Sequence, residues 1–356
     1  MKTATQFIDK VIPNARFIGP DYPSLQKTAG MALGANGCLY CVPWFYDKVI
    51  KIDPLTRIVS DLSTSYPGNR KWLGAAAHPN GKIYCAPFDA SGYLEIDPAT
   101  DTTRIIPSAY GKARSIASHP NGKFYSFRSG VNVPSQFNQI IEFDPINETT
   151  NLVGPLEYPG VTGSSFRSTI MGKDNKIYSS SGDSHKIIRY DPLTDIWEIF
   201  NTNQIIGNNA HAGMCLARDN DNIYYTNDWD GNQISWFSIS DGIPNYASGF
   251  QYKKGNRNYS ITPAANGNLY AAPSTNFHVT VHDVVKGRDS PFGPFLGNTE
   301  YKFSSIKSAG NGNLYLAPRN MTRVLEIYNV GSFNSFSEVY NFDLVTNEPT
   351  VYMRGI

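Results

Sequence analysis

A turn, an apolar residue and a tyrosine recur seven times along the chain, and a period of this length is the mark of a repeat architecture. The clean copies are Asn36-Gly37-Cys38-Leu39-Tyr40, Asn80-Gly81-Lys82-Ile83-Tyr84, Asn121-Gly122-Lys123-Phe124-Tyr125, Asn266-Gly267-Asn268-Leu269-Tyr270 and Asn311-Gly312-Asn313-Leu314-Tyr315. Degenerate copies stand at Asp174-Asn175-Lys176-Ile177-Tyr178 and Asp221-Asn222-Ile223-Tyr224. The tyrosines are 41 to 53 residues apart, about 46 on average, between the unit lengths of WD and kelch repeats. A second mark follows thirteen residues after the tyrosine, as Ile52-Asp53-Pro54-Leu55-Thr56, Ile96-Asp97-Pro98-Ala99-Thr100 and Tyr190-Asp191-Pro192-Leu193-Thr194. Phe143-Asp144-Pro145 is the same mark, displaced by six residues because Val131 to Gln139 lengthen the loop before it.

Asn-Gly between apolar runs signals a tight hairpin whose two central residues accept positive φ. Asp-Pro-x-Thr signals a type I turn, with Asp capping its own backbone and Pro presetting φ. Each unit therefore has an inner strand before Asn-Gly, a second strand carrying the tyrosine, a third ending at Asp and a fourth beyond the Pro turn. Four antiparallel strands repeated seven times, with no helical periodicity between them, predict an all-β, seven-bladed β-propeller in one domain over residues 1–356. The predicted blades centre on Tyr40, Tyr84, Tyr125, Tyr178, Tyr224, Tyr270 and Tyr315. Asn14 to Ile18 align with a fourth strand and are expected to close the seventh blade. Residues 334–356 are then surplus, an added strand or an attachment tail.

With these motifs in place, residues 14–345 resemble the lyase-like and surface-layer-type seven-bladed propellers, whose blades carry an Asn-Gly-x-Ile-Tyr strand and an Ile-Asp-Pro-x-Thr turn. The resemblance implies the fold. In the lyase-like group it also implies metal-assisted elimination by His and Glu at one face, but those residues have no one-to-one match here.

Lys and Arg number 31 against 30 Asp and Glu, a net charge of +1, which excludes bulk attraction to nucleic acid or an anionic membrane. No apolar run reaches the roughly 18–20 residues of a membrane helix, and Met1 to Asn14 lack the apolar segment of a secretory signal. A cytoplasmic or virion-associated location is expected. Cys38 and Cys41 form a C-x-x-C, but positions three apart on a strand face opposite ways and cannot share a metal. Cys41 and Cys85 share one repeat position and are expected to pack between sheets. His278 and His282 have no third ligand in view. No metal or cofactor is expected.

Counting back thirteen from the tyrosines gives Lys27, Lys71, Lys112, Ser165, His211, Arg257 and Lys302, with Arg167 two residues beyond the serine. The position opens the inner strand, so these side chains are expected around one mouth of the central channel. There a ring of cations would focus positive potential despite the near-zero net charge. Trp72 and Tyr259 flank the same face, and aromatics beside cations suit sugars or peptide side chains. The expected function is non-enzymatic recognition or scaffolding, with an anionic small molecule, glycan or protein partner at the basic mouth. A larger assembly such as a virus or phage particle fits the composition. The alternative is a metal-assisted lyase or hydrolase on the same face, using His211 or His185.

Overall fold

The computed structural model describes residues 12–129, 139–156, 158–161, 166–181, 186–202, 211–217, 221–227, 234–246, 248–249 and 258–331. Their strands form seven sheets around one axis, antiparallel apart from one short parallel edge pairing in blade 6, a seven-bladed β-propeller. Blade 1 runs Thr28–Leu33, Leu39–Pro43, Ile50–Ile52 and Val59–Asp61. Blade 2 starts at Trp72–Ala77, blade 3 at Ala117–Ser118, blade 4 at Phe166–Met171, blade 5 at His211–Leu216, blade 6 at Asn258–Pro263 and blade 7 at Phe303–Ser308. Asn14–Ile18 pairs antiparallel with Val324–Tyr328, Arg16 opposite Glu326, so the two ends of the ring meet in blade 7 as expected. Residues 334–356 lie outside the described residues.

The Asn-Gly turn differs from expectation in one respect. Only its glycine takes positive φ, 79° at Gly37, 85° at Gly81 and 83° at Gly267. The loop is therefore a three-residue turn ending in a left-handed residue, a bulge-type hairpin. The asparagine acts instead through its side chain: Asn36 Oδ1 accepts from the Cys38 amide at 3.0 Å and Nδ2 donates to the Tyr40 hydroxyl at 2.9 Å. Blade 4 puts Asn175 at the left-handed position, φ 57°, the non-glycine residue that tolerates it best. The Asp-Pro turn is capped as expected, Asp53 Oδ1 accepting from the Leu55 amide at 2.9 Å and Asp191 Oδ1 from Leu193 at 2.9 Å.

The two motifs also join neighbouring blades. Asn36 Nδ2 donates to the Pro98 carbonyl of blade 2 at 2.8 Å, and Asn311 of blade 7 to that of Pro54 in blade 1 at 3.0 Å. Between them lie apolar layers, one of which sets Tyr40, Val42 and Leu62 of blade 1 against Ala77, Ile83 and Cys85 of blade 2. All four cysteines are buried outside any disulfide, Cys41 Sγ 3.7 Å from Met31 Sδ, and burial pushes the Cys41 and Cys85 thiols up.

Candidate site at the channel mouth

Six of the seven inner strands carry a register shift near their start, as between Thr28 and Met31, Trp72 and Ala75, and Phe166 and Thr169. A β-bulge re-aims side chains and sharpens the twist, and in these six blades it falls beside residues that line the axis. The crowding there dictates small residues. A Cβ on Gly30 would stand 2.4 Å from the Leu73 carbonyl, and one on Gly74 2.7 Å from Ser115 Cα. Where serine replaces glycine, its hydroxyl bonds the next blade: the Thr169 amide donates to Ser115 Oγ at 2.8 Å and the Met214 amide to Ser168 Oγ at 3.1 Å.

The channel so enclosed measures about 140 Å³ and is lined by all seven blades. Ligand pockets run to roughly 300 Å³ and above, so the bore takes a small ion, water or one inserted side chain, and anything larger must sit on the rim. Arg114, Arg167, Tyr259 and Lys307 reach its wall, and no Asp or Glu does among the described residues. Arg114, Arg167 and Tyr259 all stand eleven residues before their anchor tyrosines. Arg167 and Tyr259 were expected here. Arg114 and Lys307 were missed, although counting back eleven rather than thirteen would have found Arg114.

The lysines thirteen before the tyrosines sit in the seams between blades rather than on the wall. Lys27 and Lys302 are fully buried and Lys71 nearly so. Lys27 Nζ donates to the Ser24 carbonyl and to that of Arg319 at 3.2 Å; Lys302 Nζ donates to Thr299 at 2.6 Å and Thr275 at 3.2 Å; Lys71 Nζ donates to Gly68. Burial lowers the pKa of Lys27 and of Lys302 to about 8 and also lowers that of Lys71. Their backbones form part of a belt around the ring: the Lys27 amide donates to the Arg319 carbonyl at 3.0 Å, Lys71 to Trp44 at 3.3 Å and Lys112 to Phe88 at 3.0 Å. Lys112 has φ 66° and pairs with Asp89 at the surface. Trp72 is buried in blade 2, its Nε1 donating to the Gly92 carbonyl at 2.8 Å. His211 is described only as a strand residue, and Arg257 and His185 lie outside the described residues.

Two of the remaining histidines reach across to the following blade. His78 Nε2 lies 3.0 Å from the Gly122 carbonyl and His119 Nε2 2.9 Å from that of Asn175, each in the following blade. His282 is buried with Nδ1 2.7 Å from Asp289 Oδ1, while His278 Nδ1 lies 3.1 Å from the Gly293 carbonyl. No cluster of three metal-ligating side chains occurs among the described residues.

No protein-family profile and no curated protein matches the chain. Solved structures do. A streptogramin B lyase superposes with a TM-score of 0.72 at 12% identity over 89% of this chain and 97% of the lyase. A catalytically inactive virginiamycin B lyase from Staphylococcus aureus with quinupristin gives 0.72 at 13% identity, over 89% and 99%. The extracellular domain of a putative hybrid two-component system from B. thetaiotaomicron gives 0.66 at 13% identity, over 88% of this chain and 40% of that one. Identity this low carries the fold and nothing finer. The class is the seven-bladed β-propeller.

Proposed function

We propose that the protein is a recognition propeller that binds an anionic partner, glycan or protein, at the rim of its central channel. The carrying observation is the convergence of Arg114, Arg167 and Lys307, from three blades, on a lining with no carboxylate among the described residues. Fixed positive charge around a narrow low-dielectric opening attracts anions and raises their rate of encounter. Tyr259 beside these cations supplies a flat amphipathic surface of the kind that sugars and peptide side chains stack on. The small bore favours an acidic group dipping in from a partner held outside.

The test is binding of a fluorescent heparin fragment to wild type and to an Arg114→Glu/Arg167→Glu variant at low and high salt. Wild type binds at low salt and weakens steeply as salt rises, and the variant loses about tenfold or more at low salt. Equal, negligible binding by both proteins refutes the reading.

A further inference from the structure

Arg319 follows the second strand of blade 7 and is 8% exposed. Its Cζ lies over the ring of Tyr259 at 5.0 Å and over that of Tyr301 at 4.9 Å. Its Nε and Nη1 are buried and meet no hydrogen-bond acceptor, and among the described residues it enters no ion pair. A buried guanidinium without an acceptor is costly, and Arg319 is the one arginine among the described residues with two such buried nitrogens; other arginines have carboxylate partners. Arg16 pairs with Glu326, Arg104 with Glu95 and Arg189 with Glu198. Nor does packing demand an arginine here. The same repeat position, four residues after the tyrosine, holds buried Trp44 in blade 1 and buried Phe88 in blade 2.

We propose that Arg319, between Tyr259 and Tyr301, anchors a carboxylate-binding site opening on the channel rim. The site rests on the rim reading above and deepens it by naming the ligand's charged group. The charge around it fits: Lys27 and Lys302 are its backbone neighbours, and neither forms an ion pair among the described residues. Geometry selects the anion. The guanidinium carbon lies about 5 Å from two ring centroids, and a ligand that approaches in the guanidinium plane meets N–H donors that suit a flat carboxylate. A tetrahedral oxyanion would press oxygens out of that plane and against the rings. Tyr259 also lines the channel, so a carboxylate on Arg319 lies beside whatever sits on the rim.

The experiment titrates sodium acetate, sodium glucuronate, glucose and inorganic phosphate, at matched ionic strength, into wild type, Arg319→Met and Arg319→Lys. Calorimetry and the melting temperature are read together. Acetate and glucuronate bind wild type and raise its melting temperature, glucose does neither, and phosphate binds more weakly. A glucuronate affinity above that of acetate assigns the carboxylate to an acidic sugar; equal affinities assign it to a carboxylate of any carrier. Without ligand, Arg319→Met melts at or above the wild-type temperature, because it removes a charge that has no acceptor. Arg319→Lys keeps the charge and loses the planar edge, and binds acetate about tenfold or more weakly.

No acetate response in wild type, an undiminished response in Arg319→Lys, or tighter binding of phosphate than of acetate overturns the proposal. The Arg114→Glu/Arg167→Glu protein separates it from the rim reading. Acetate binding kept there and lost in Arg319→Lys supports the Arg319 site even where heparin binding fails. The reverse pattern overturns this site and leaves the rim reading standing.

Discussion

Lys27 and Lys302 hold amines that burial brings to about 8, against an ordinary 10.5. Between those values the unfolded chain binds more protons than the folded one, so stability rises with pH across the window. Above about 10 the buried tyrosines oppose this. Burial raises the pKa of Tyr40 and Tyr84, so the folded protein keeps protons that the unfolded chain releases. Urea unfolding is therefore expected to give wild type a stability that climbs from pH 8 toward 10. A Lys27→Met/Lys302→Met protein should show a flatter profile, and an identical slope in both would refute the assignment. The spacing of these lysines was legible in the sequence, but their burial was not. Their acceptors are main-chain carbonyls, Ser24 and Thr299 three residues back and Arg319 and Thr275 across a seam. Carbonyls leave no mark in a residue pattern. Arg319 was equally hidden, because its distinction is the absence of a partner, and only packing reveals that.

Within a blade, the anchor tyrosine ties the hairpin turn to the third strand. In blade 2, Glu95 accepts from Arg104 Nε at 2.8 Å, Lys82 Nζ at 2.8 Å and the Tyr84 hydroxyl at 3.1 Å. Blade 7 repeats this with Glu326, Arg16, Asn313 and Tyr315. Blade 4 reverses the signs: Arg189 takes the place of the glutamate, and Glu198 that of the fourth-strand arginine. Such a swap preserves the pairing and marks it as a unit of the blade. Burial by itself would raise the Glu95 pKa, but hydrogen bonds from Arg104 and Lys82 hold it below the usual carboxylate range. Its contribution is thus present above about pH 4.5 and lost as pH falls through the folded value. Glu95→Gln should cost about 2 kcal/mol near neutral pH, a figure discounted because Arg104 is half exposed. It should also flatten the acid side of the stability profile in urea titrations; an unchanged profile counts against the network. Strands and turns were readable here from Asn-Gly and Asp-Pro alone. The network was readable too, since Glu95, Arg189 and Glu326 each stand eleven after a tyrosine, but only a count directed at charge would have found it.

At the scale of the molecule, stability depends on closure, because an open ring leaves two apolar blade faces and a bare strand edge in water. The seven sheets and the closing strand followed from the repeat. The parallel pairing of Ser248–Gly249 with Arg288–Asp289 on blade 6 did not, since nothing in its residues sets it apart from a loop. Closure rests on few groups. Asn14–Ile18 covers the edge of Val324–Tyr328. Arg16 bonds buried Glu326 at 2.6 Å and lies over the Tyr328 ring at 4.4 Å, while Ile18 packs with Val59 and Val324 at the seam with blade 1. Deleting residues 1–18 removes the Ile18 and Phe17 side chains from their layers, which costs about 4 kcal/mol by burial alone. It also leaves Glu326 short of a partner and exposes a strand edge that a second molecule can pair with. The truncated protein is expected to unfold at lower urea and to elute partly as dimers or larger species in size-exclusion chromatography. A synthetic peptide spanning residues 12–20, added in excess, should reverse both effects by refilling the edge in trans. A truncated protein as stable and monomeric as the full chain would mean that the first and seventh blades hold the ring without the strand between them.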